Sequence, residues 1–381
     1  ESFLQRLAKQ YMFAHKYLTA ASQATDPVER LQHVMVWWVA GMNLMGEQFR
    51  KPFNPILGET YQCIYEDGSM GFFEQSSHHP PISCWEVSGQ EGAYTYAGWG
   101  ELTAQFRGNS VKALQTGTQN VYFPDGGHIT FTLPTVWVTG MAWGDRVIKY
   151  CGEMNFSDAS NELSCTLTLN PKDKKGLFFS KHVSTPDFMR GEILKKDGKK
   201  QKKVSVCEGS WLSELAFDGK VLWTLAENDG VKAPVPASDP LPSDSQFRED
   251  LQFTGQGDLT RGGEWKVLLE EKQRYDVKLR KNAKEAHSLE SYQREWQKKG
   301  EENVSEDMLG GIKWKDEEAL KAQRVIIWNF AKKMGKNLFS GHDLTKIPLP
   351  IQLFEPESFL QRLAKQYMFA HKYLTAASQA T

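Results

Sequence analysis

Residues 74–81 read EQSSHHPP, two adjacent imidazoles followed by two prolines. On an extended backbone neighbouring side chains point to opposite faces, so His78 and His79 can serve one ligand only from a bent, fixed loop. Pro80 and Pro81 supply the stiffness, and Pro80 pushes His79 out of the helical region. Paired imidazoles suit an anion. A nearby phosphate raises a histidine pKa toward the charged form, and each charge-assisted hydrogen bond contributes about 1.5–3 kcal/mol. Two other segments carry matching groups. KPFNPILGETY (51–61) holds Lys51 and Asn54 in a proline-framed loop, a point charge and an amide. Far downstream, Lys266, Glu270 and Arg274 recur at four-residue steps, one stripe of a helix. Glu270 sits one turn from both cations and can steady each while they face an anion. Blander readings stand beside these. A His-His pair in a loop is more often merely solvated, and a Lys/Glu/Arg stripe is more often a solvated face whose pairs stabilise by about 0.3–0.5 kcal/mol. His78, His79 and Cys84 do not suggest a metal site, since adjacent histidines rarely converge on one ion and no fourth ligand is evident. No nucleophile has recognisable catalytic spacing, so no catalytic residue, enzyme activity or cofactor is expected.

Composition narrows the function classes. The 381 residues carry 46 Lys+Arg against 47 Asp+Glu, a net charge of -1. A bulk electrostatic nucleic-acid binder would be more basic, so anion recognition must come from local clusters. Five scattered cysteines without CxxC spacing predict a reduced, intracellular chain. The longest apolar run, 34–46, is too short to span a bilayer. No signal-peptide pattern opens the chain. The expectation is a soluble, cytoplasmic protein whose membrane contact is peripheral.

The elements that must position these groups fall into three textures. Asp26-Pro27-Val28-Glu29 starts a helix, with an Asx cap, proline at the first position and Glu at the third. From Tyr61 to about Leu225, short alternating runs are separated by Asp67-Gly68, Asp125-Gly126-Gly127, Asp197-Gly198 and Asp218-Gly219, which predicts an antiparallel meander of hairpins. After a Pro/Ser-rich connector (231–245), a charged helix is predicted from about Gly263 to Lys299 and an amphipathic one over 317–337. Hairpins flanked by helices without βαβ alternation favour a mainly β fold: a large, barrel-like antiparallel sheet with helical appendages. The lysine-rich stretch 194–203 reads as a solvated hairpin tip, with contact to anionic lipid as its alternative.

A 25-residue segment, ESFLQRLAKQYMFAHKYLTAASQAT, occurs at 1–25 and again, letter for letter, at 357–381. Its apolar spacing predicts one amphipathic helix per copy, each needing an apolar seat. One core offers one such seat. The second copy must dangle, displace the first or dock on another molecule, which predicts a domain-swapped homo-oligomer formed by exchange of 317–381. A tandem origin, a circular permutation with overlap and an assembly artefact all remain open for the repeat.

EQSSHHPP differs only at Ser76 from EQVSHHPP, the signature of the oxysterol-binding-protein-related family. KPFNPILGETY looks like that family's K-P-x-N-P-x-x-G-E stretch, FREDLQFTGQGDLTRGGEWKVLLEEKQR (247–274) is similar to its distal helix, and DLTKIPLPIQLFEPESFLQRL (343–363) resembles its entry into the domain. The order departs from the family: the lid and the LTKIPLP segment, which there precede the helix beginning at Glu1, come last here.

The resemblance implies a near-closed β-barrel around an apolar tunnel, with N-terminal helices, a C-terminal helical region and a lid. It implies a lipid-binding domain over 1–316 and a displaced lid, extended segment and second helix copy over 317–381. It implies a protein that binds phosphatidylinositol 4-phosphate and exchanges it for a second lipid between membranes, at membrane contact sites. Sterol is favoured as that lipid, with phosphatidylserine as alternative. His78 and His79 would meet the 4-phosphate; Lys51, Asn54, Lys266, Glu270 and Arg274 would surround phosphate and inositol. Ile327, Trp328, Phe330 and Met334, on the amphipathic helix, would form the lid or meet the membrane. A sensor that binds without transfer is the competing reading. Moving lipid has a clear physical need: burying hydrocarbon is worth about 0.8 kcal/mol per CH2, so a two-chain lipid hardly leaves a bilayer unaided.

Overall fold

Each predicted Asp-Gly site closes a hairpin in the computed structural model, which describes residues 1–45, 51–171, 185–198, 200–282, 312–313, 321 and 324–329. Strands β1 (Thr60–Ile64) and β2 (Met70–His78) flank Asp67-Gly68. Next come β3 (Pro81–Ser88), β4 (Thr95–Arg107), β5 (Ser110–Thr116) and β6 (Thr118–Tyr122). Asp125-Gly126-Gly127 then turns the chain into β7 (His128–Thr132), β8 (Thr135–Thr139) and β9 (Val147–Asp158). Strand β10 (Leu163–Leu169) leads to β11 (Phe188–Asp197), which Asp197-Gly198 joins to β12 (Lys200–Ser210). Asp218-Gly219 joins β13 (Glu214–Phe217) to β14 (Lys220–Thr224). Gly68, Gly126, Gly198 and Gly219 all have positive φ, the conformation that these turns demand and glycine adopts freely.

Every strand pair in this sheet is antiparallel, and from β1 to β14 order in space follows order in sequence. Two double entries reduce to the same meander. Gly117, at φ +136, breaks one long strand into β5 and β6, and a Cβ there would strike the Trp99 carbonyl. Leu133-Pro134 does the same between β7 and β8. The fold is therefore mainly β, a single curved sheet with helices at its edges. A short strand, β15 (Val235–Pro236), pairs with β1, so β14 and β15 are the edges of this path, and β16 (Ile312–Lys313) pairs with β9 off it.

Helices α1 (Phe3–Gln10), α2 (Ala14–Gln23) and α3 (Pro27–Met42) bridge those edges and nearly close the barrel. Tyr65 Oη donates to the Ala8 carbonyl (3.1 Å), Tyr150 Oη to that of Met42 (2.9 Å) and Asn228 Nδ2 to that of Ala40 (2.9 Å). Helix α3 starts as predicted, with Asp26 capping Val28 N–H and proline at its first position. The first repeat copy departs from expectation. It is two helices, not one, because the chain turns at Tyr11–Phe13. That turn aims Tyr11 into a knot of rings, 4.9–6.1 Å by centroid from Trp37, Trp38, Phe73, Trp85 and Tyr96. A straight helix would carry Phe13 off the buried stripe; here both residues are buried. The second copy, and with it the expected exchange and the boundary at 316/317, lies outside the described residues.

Tyr96 and Trp85 belong to the buried cluster, and Gly98 and Gly100 lie against Trp85 on the same face of β4. Beyond them on that face Leu102 and Ala104, with Val111, Ala113 and Val138 on the paired strands, are half-buried, while Phe106 and Val136 in the same rows are buried.

Helices α4 (Glu249–Gly255) and α5 (Leu259–Asn282) follow the connector. The charged helix begins at Leu259, four residues before its expected start at Gly263. Gly262, inside the helix, is where α4 and α5 cross: a Cβ there would meet Thr254 Oγ1 at 2.5 Å. Truncating the central ring tests the helical plug. Tyr11→Ala is expected to lower the unfolding free energy by about 3–5 kcal/mol, read from urea denaturation.

Candidate anion-binding site

The HHPP turn is the tip of the β2–β3 hairpin, with His78 opposite Pro81 and a cis peptide between His79 and Pro80. The register shifts between Gln75 and Ser77, a bulge that removes the strict alternation of faces. The two imidazoles consequently lie together, with ring centroids 4.4 Å apart. Gln75 holds the bulge. Its Nε2 donates to the Ser77 carbonyl at 2.5 Å, and its Oε1 accepts from Ser83 Oγ at 2.6 Å. Ser76, the position where the octapeptide departs from EQVSHHPP, donates from Oγ to the Ile82 carbonyl (3.2 Å), so the change adds a tie across the hairpin. Sequence reasoning missed Gln75 and Ser83; the shared alternation of β2 gave no sign of the bulge.

The proline-framed loop lies against the same hairpin. Gly58 N–H donates to the Gln75 carbonyl (2.8 Å) and Gln75 N–H to that of Glu59 (2.9 Å). Within the loop Lys51 Nζ donates to Asn54 Oδ1 and to the Pro52 carbonyl. Helix α5 is tied in by Gln273, whose Oε1 accepts from Leu57 N–H at 2.8 Å. Gln273 is buried and immediately precedes Arg274. On the predicted stripe Lys266 Nζ lies 2.5 Å and Arg274 Nη2 3.5 Å from Glu270. Glu270 thus sits between the two cations, as its spacing suggested.

Electrostatics place the three segments in one field. Burial, then His79, then Arg274 push the His78 imidazole down to about 4. Burial, then Lys266, then Arg6 pull the Lys51 ammonium down to about 7, against the opposing pull of Glu270. Burial and neighbouring cations thus outweigh Glu270 at Lys51. Arg6 was not foreseen as a member, because its helix lies 45 residues before Lys51 in the chain. It comes from α1, where Glu1 accepts from Arg6 Nε (2.9 Å) and from Lys9. Despite burial, those two cations hold the Glu1 carboxyl down at about 2.

Beneath the cations lies a buried ionic clamp that sequence reading also missed. Arg248 Nη1 donates to Glu59 Oε2 (2.6 Å) and to the Asn54 carbonyl (2.9 Å), while its Nε and Nη2 grip Asp250 (3.0 and 2.6 Å). Glu59 further accepts from Ser2 Oγ (2.5 Å) and Ile56 N–H (2.8 Å). Ser2 and Phe53 pair as a parallel bridge, which brings the start of α1 beside Lys51. Of the residues expected to form a lid or meet a membrane, Ile327 is buried and Trp328 exposed on a helical stretch at 324–329. Phe330 and Met334 lie outside the described residues. Lysines 195, 196, 200, 202 and 203 are exposed at the β11–β12 tip, with Lys203 near Glu192 (3.3 Å). Among the described residues no group of three His, Cys, Asp or Glu could hold a metal ion, and no helix is long and apolar enough to cross a membrane.

Known proteins bear on this arrangement. Residues 1–232 match the family model described as oxysterol-binding protein. Oxysterol-binding protein 9 of Dictyostelium discoideum is 38% identical over 293 residues, 73% of this chain and 68% of that one. Oxysterol-binding protein-related protein 5 of Homo sapiens is 27% identical over 327 residues, 82% of this chain but 37% of the human protein. Of solved structures, Osh3 ORD in complex with PI(4)P from Saccharomyces cerevisiae superposes with TM-score 0.60 at 22% identity, covering 74% of this chain and 77% of that chain. Osh1 ORD in complex with ergosterol gives TM-score 0.61 at 21% identity, covering 85% and 82%.

The clamp can be tested apart from any ligand. Arg248→Met leaves Glu59 and Asp250 buried without their cation and is expected to cost about 3–5 kcal/mol of stability in a denaturant titration. Amide hydrogen exchange should quicken across 51–57, which the clamp anchors.

Proposed function

The chain belongs to the oxysterol-binding protein family, and from that premise we propose that it binds phosphatidylinositol 4-phosphate at the cationic rim and exchanges it for a second lipid between membranes. The observation that carries this reading is the gathering of His78 and His79, Lys51 and the Lys266–Arg274 stripe from three distant segments around one spot. An inositol monophosphate supplies the charge of about -1.5 to -2 that such a cluster is missing, and three strong acceptor oxygens. In this reading His78 and His79 take the phosphate, with Lys51 and Lys266 beside it. Asn54, Glu270 and Arg274 frame the ring. The acyl chains enter the interior beside Leu102 and Ala104, and the same space holds a sterol in alternation. The solved relatives that hold PI(4)P or ergosterol support both halves of the proposal.

Exclusion of one lipid by the other makes exchange directional, since each membrane reloads the protein with the lipid it has in excess. No covalent bond changes, so the protein acts as a carrier and not an enzyme. It would work in the cytoplasm, peripherally on membranes and at their contact sites. The helical stretch with Ile327 and Trp328 would cover the opening.

Two measurements test the reading. In a liposome assay the wild-type chain extracts labelled phosphatidylinositol 4-phosphate, and the His78→Ala/His79→Ala variant loses at least tenfold, since each charge-assisted bond is worth about 1.5–3 kcal/mol. Equal extraction by that variant sinks the site. Transfer is separated from sensing by following lipid from donor to acceptor vesicles; tight association without movement would favour a sensor.

Proton linkage gives the second test. The free site holds Lys51 down at about 7, and a bound phosphate draws it back to the charged form. Binding therefore takes up a proton above that pH. Affinity for a water-soluble short-chain phosphatidylinositol 4-phosphate should fall by up to roughly tenfold per unit as pH rises above about 7. Titration calorimetry should show the slope flattened in Lys51→Met.

A further inference from the structure

The β8–β9 connection, residues 140–146, displays Trp143 at 63% exposure, yet its backbone is held almost completely. Asn109, at the β4–β5 tip, accepts on Oδ1 from Ala142 N–H (2.7 Å) and Trp143 N–H (3.2 Å), and its Nδ2 donates to the Trp143 carbonyl (2.8 Å). Met141 N–H donates to the Asn109 carbonyl (3.0 Å). Buried Arg146 donates to the carbonyls of Gly140 (3.1 Å) and Met141 (3.2 Å). Gly140 and Gly144 adopt positive φ at either end. A loop this fixed, whose tip is a large indole turned to water, is built to present that indole.

The neighbouring helical stretch adds to the same surface. Arg324 donates to the Gly144 carbonyl, and Val325 and Trp328, three residues apart and so on one face, are 60% and 52% exposed. Ile327, on the opposite side, is buried and seats the helix. Exposed Arg107 stands at the β4–β5 tip beside Asn109, and Asp145 is the acidic neighbour on the loop. Arg324 and Arg146 lie close enough to repel. The patch therefore combines two tryptophans and a valine with Arg107 and Arg324 against Asp145, while buried Arg146 holds the loop from below. Tryptophan favours the headgroup level of a bilayer, where its ring is half apolar and its N–H is wet. Arginines beside it suit a leaflet carrying anionic lipid.

Position strengthens the case. The HHPP turn and the β4–β5 tip lie at the same end of the sheet, because Ile82 pairs with Glu101 and β4 then runs six residues further to Arg107. That is about 20 Å of strand, so the tip projects beyond the headgroup turn. We infer that Trp143 on its fixed loop, with Val325 and Trp328, docks this end of the barrel into an anionic bilayer surface. The inference goes beyond the proposed function, since docking needs no particular lipid in the headgroup site.

The test uses the whole chain and vesicles of phosphatidylcholine with about one-third phosphatidylserine, lacking phosphoinositide and sterol. In co-sedimentation, Trp143→Ala should weaken partitioning roughly tenfold and Trp143→Tyr should restore most of it, as an interfacial ring would. The Val325→Ser/Trp328→Ser variant should weaken it as well, and pure phosphatidylcholine vesicles should bind the wild type less. Binding of the short-chain, water-soluble phosphoinositide and the thermal midpoint should not move in Trp143→Ala, so failure here is distinct from failure of the headgroup site. Unchanged partitioning of Trp143→Ala overturns the inference. A loss matched by loss of thermal stability or of short-chain binding overturns it too, because the tryptophan would then act through the fold.

Discussion

One guanidinium joins parts of this molecule that lie far apart in sequence. Arg248 binds Glu59 from the proline-framed loop, Asp250 from the head of α4 and the Asn54 carbonyl, and Glu59 reaches on to Ser2 before α1. Burial alone pushes the Glu59 carboxyl up, and Arg248 opposes that push. Buried ion pairs add little net stability compared with apolar packing, but removing one partner is severe. The value of this clamp is geometric: it fixes the first helix, the lysine loop and the C-terminal helices on one frame. The cationic rim exists because that frame holds.

Clustered cations are costly to assemble without anions. Lys51 is held near neutrality by burial and by Lys266 and Arg6, and His78 is kept neutral by burial, His79 and Arg274. Such a site is poised. In the proposed reading, repulsion stored in the unliganded site would be released by an arriving dianion, and selectivity for a phosphate would come from the field as well as from hydrogen bonds.

Around Tyr11, rings from α3, β2, β3 and β4 pack in tilted, stacked and edge-to-face contacts. Further along the same face of β4, Gly98, Gly100, Leu102 and Ala104 are smaller and only half-buried before Phe106 closes the row as a buried ring.

Local chemistry was legible in the sequence. Asp-Gly turns, the Asp26-Pro27 helix start and the alternation of the strands are decided within a few residues, and they fixed the meander and its four named hairpins. The Lys266/Glu270/Arg274 stripe was equally legible, since helical spacing alone sets those neighbours. What the sequence left undecided depends on residues meeting across hundreds of positions. The start of α5 lay four residues early because Gly262 is accepted where α4 crosses it, the first repeat read as one helix until Tyr11 found its rings, and Arg6, Gln75, Gln273 and Arg248 had no local pattern to mark them. Periodicity reports which side of an element faces inward, but a partner across the fold is chosen by packing and burial, and only tertiary structure decides that.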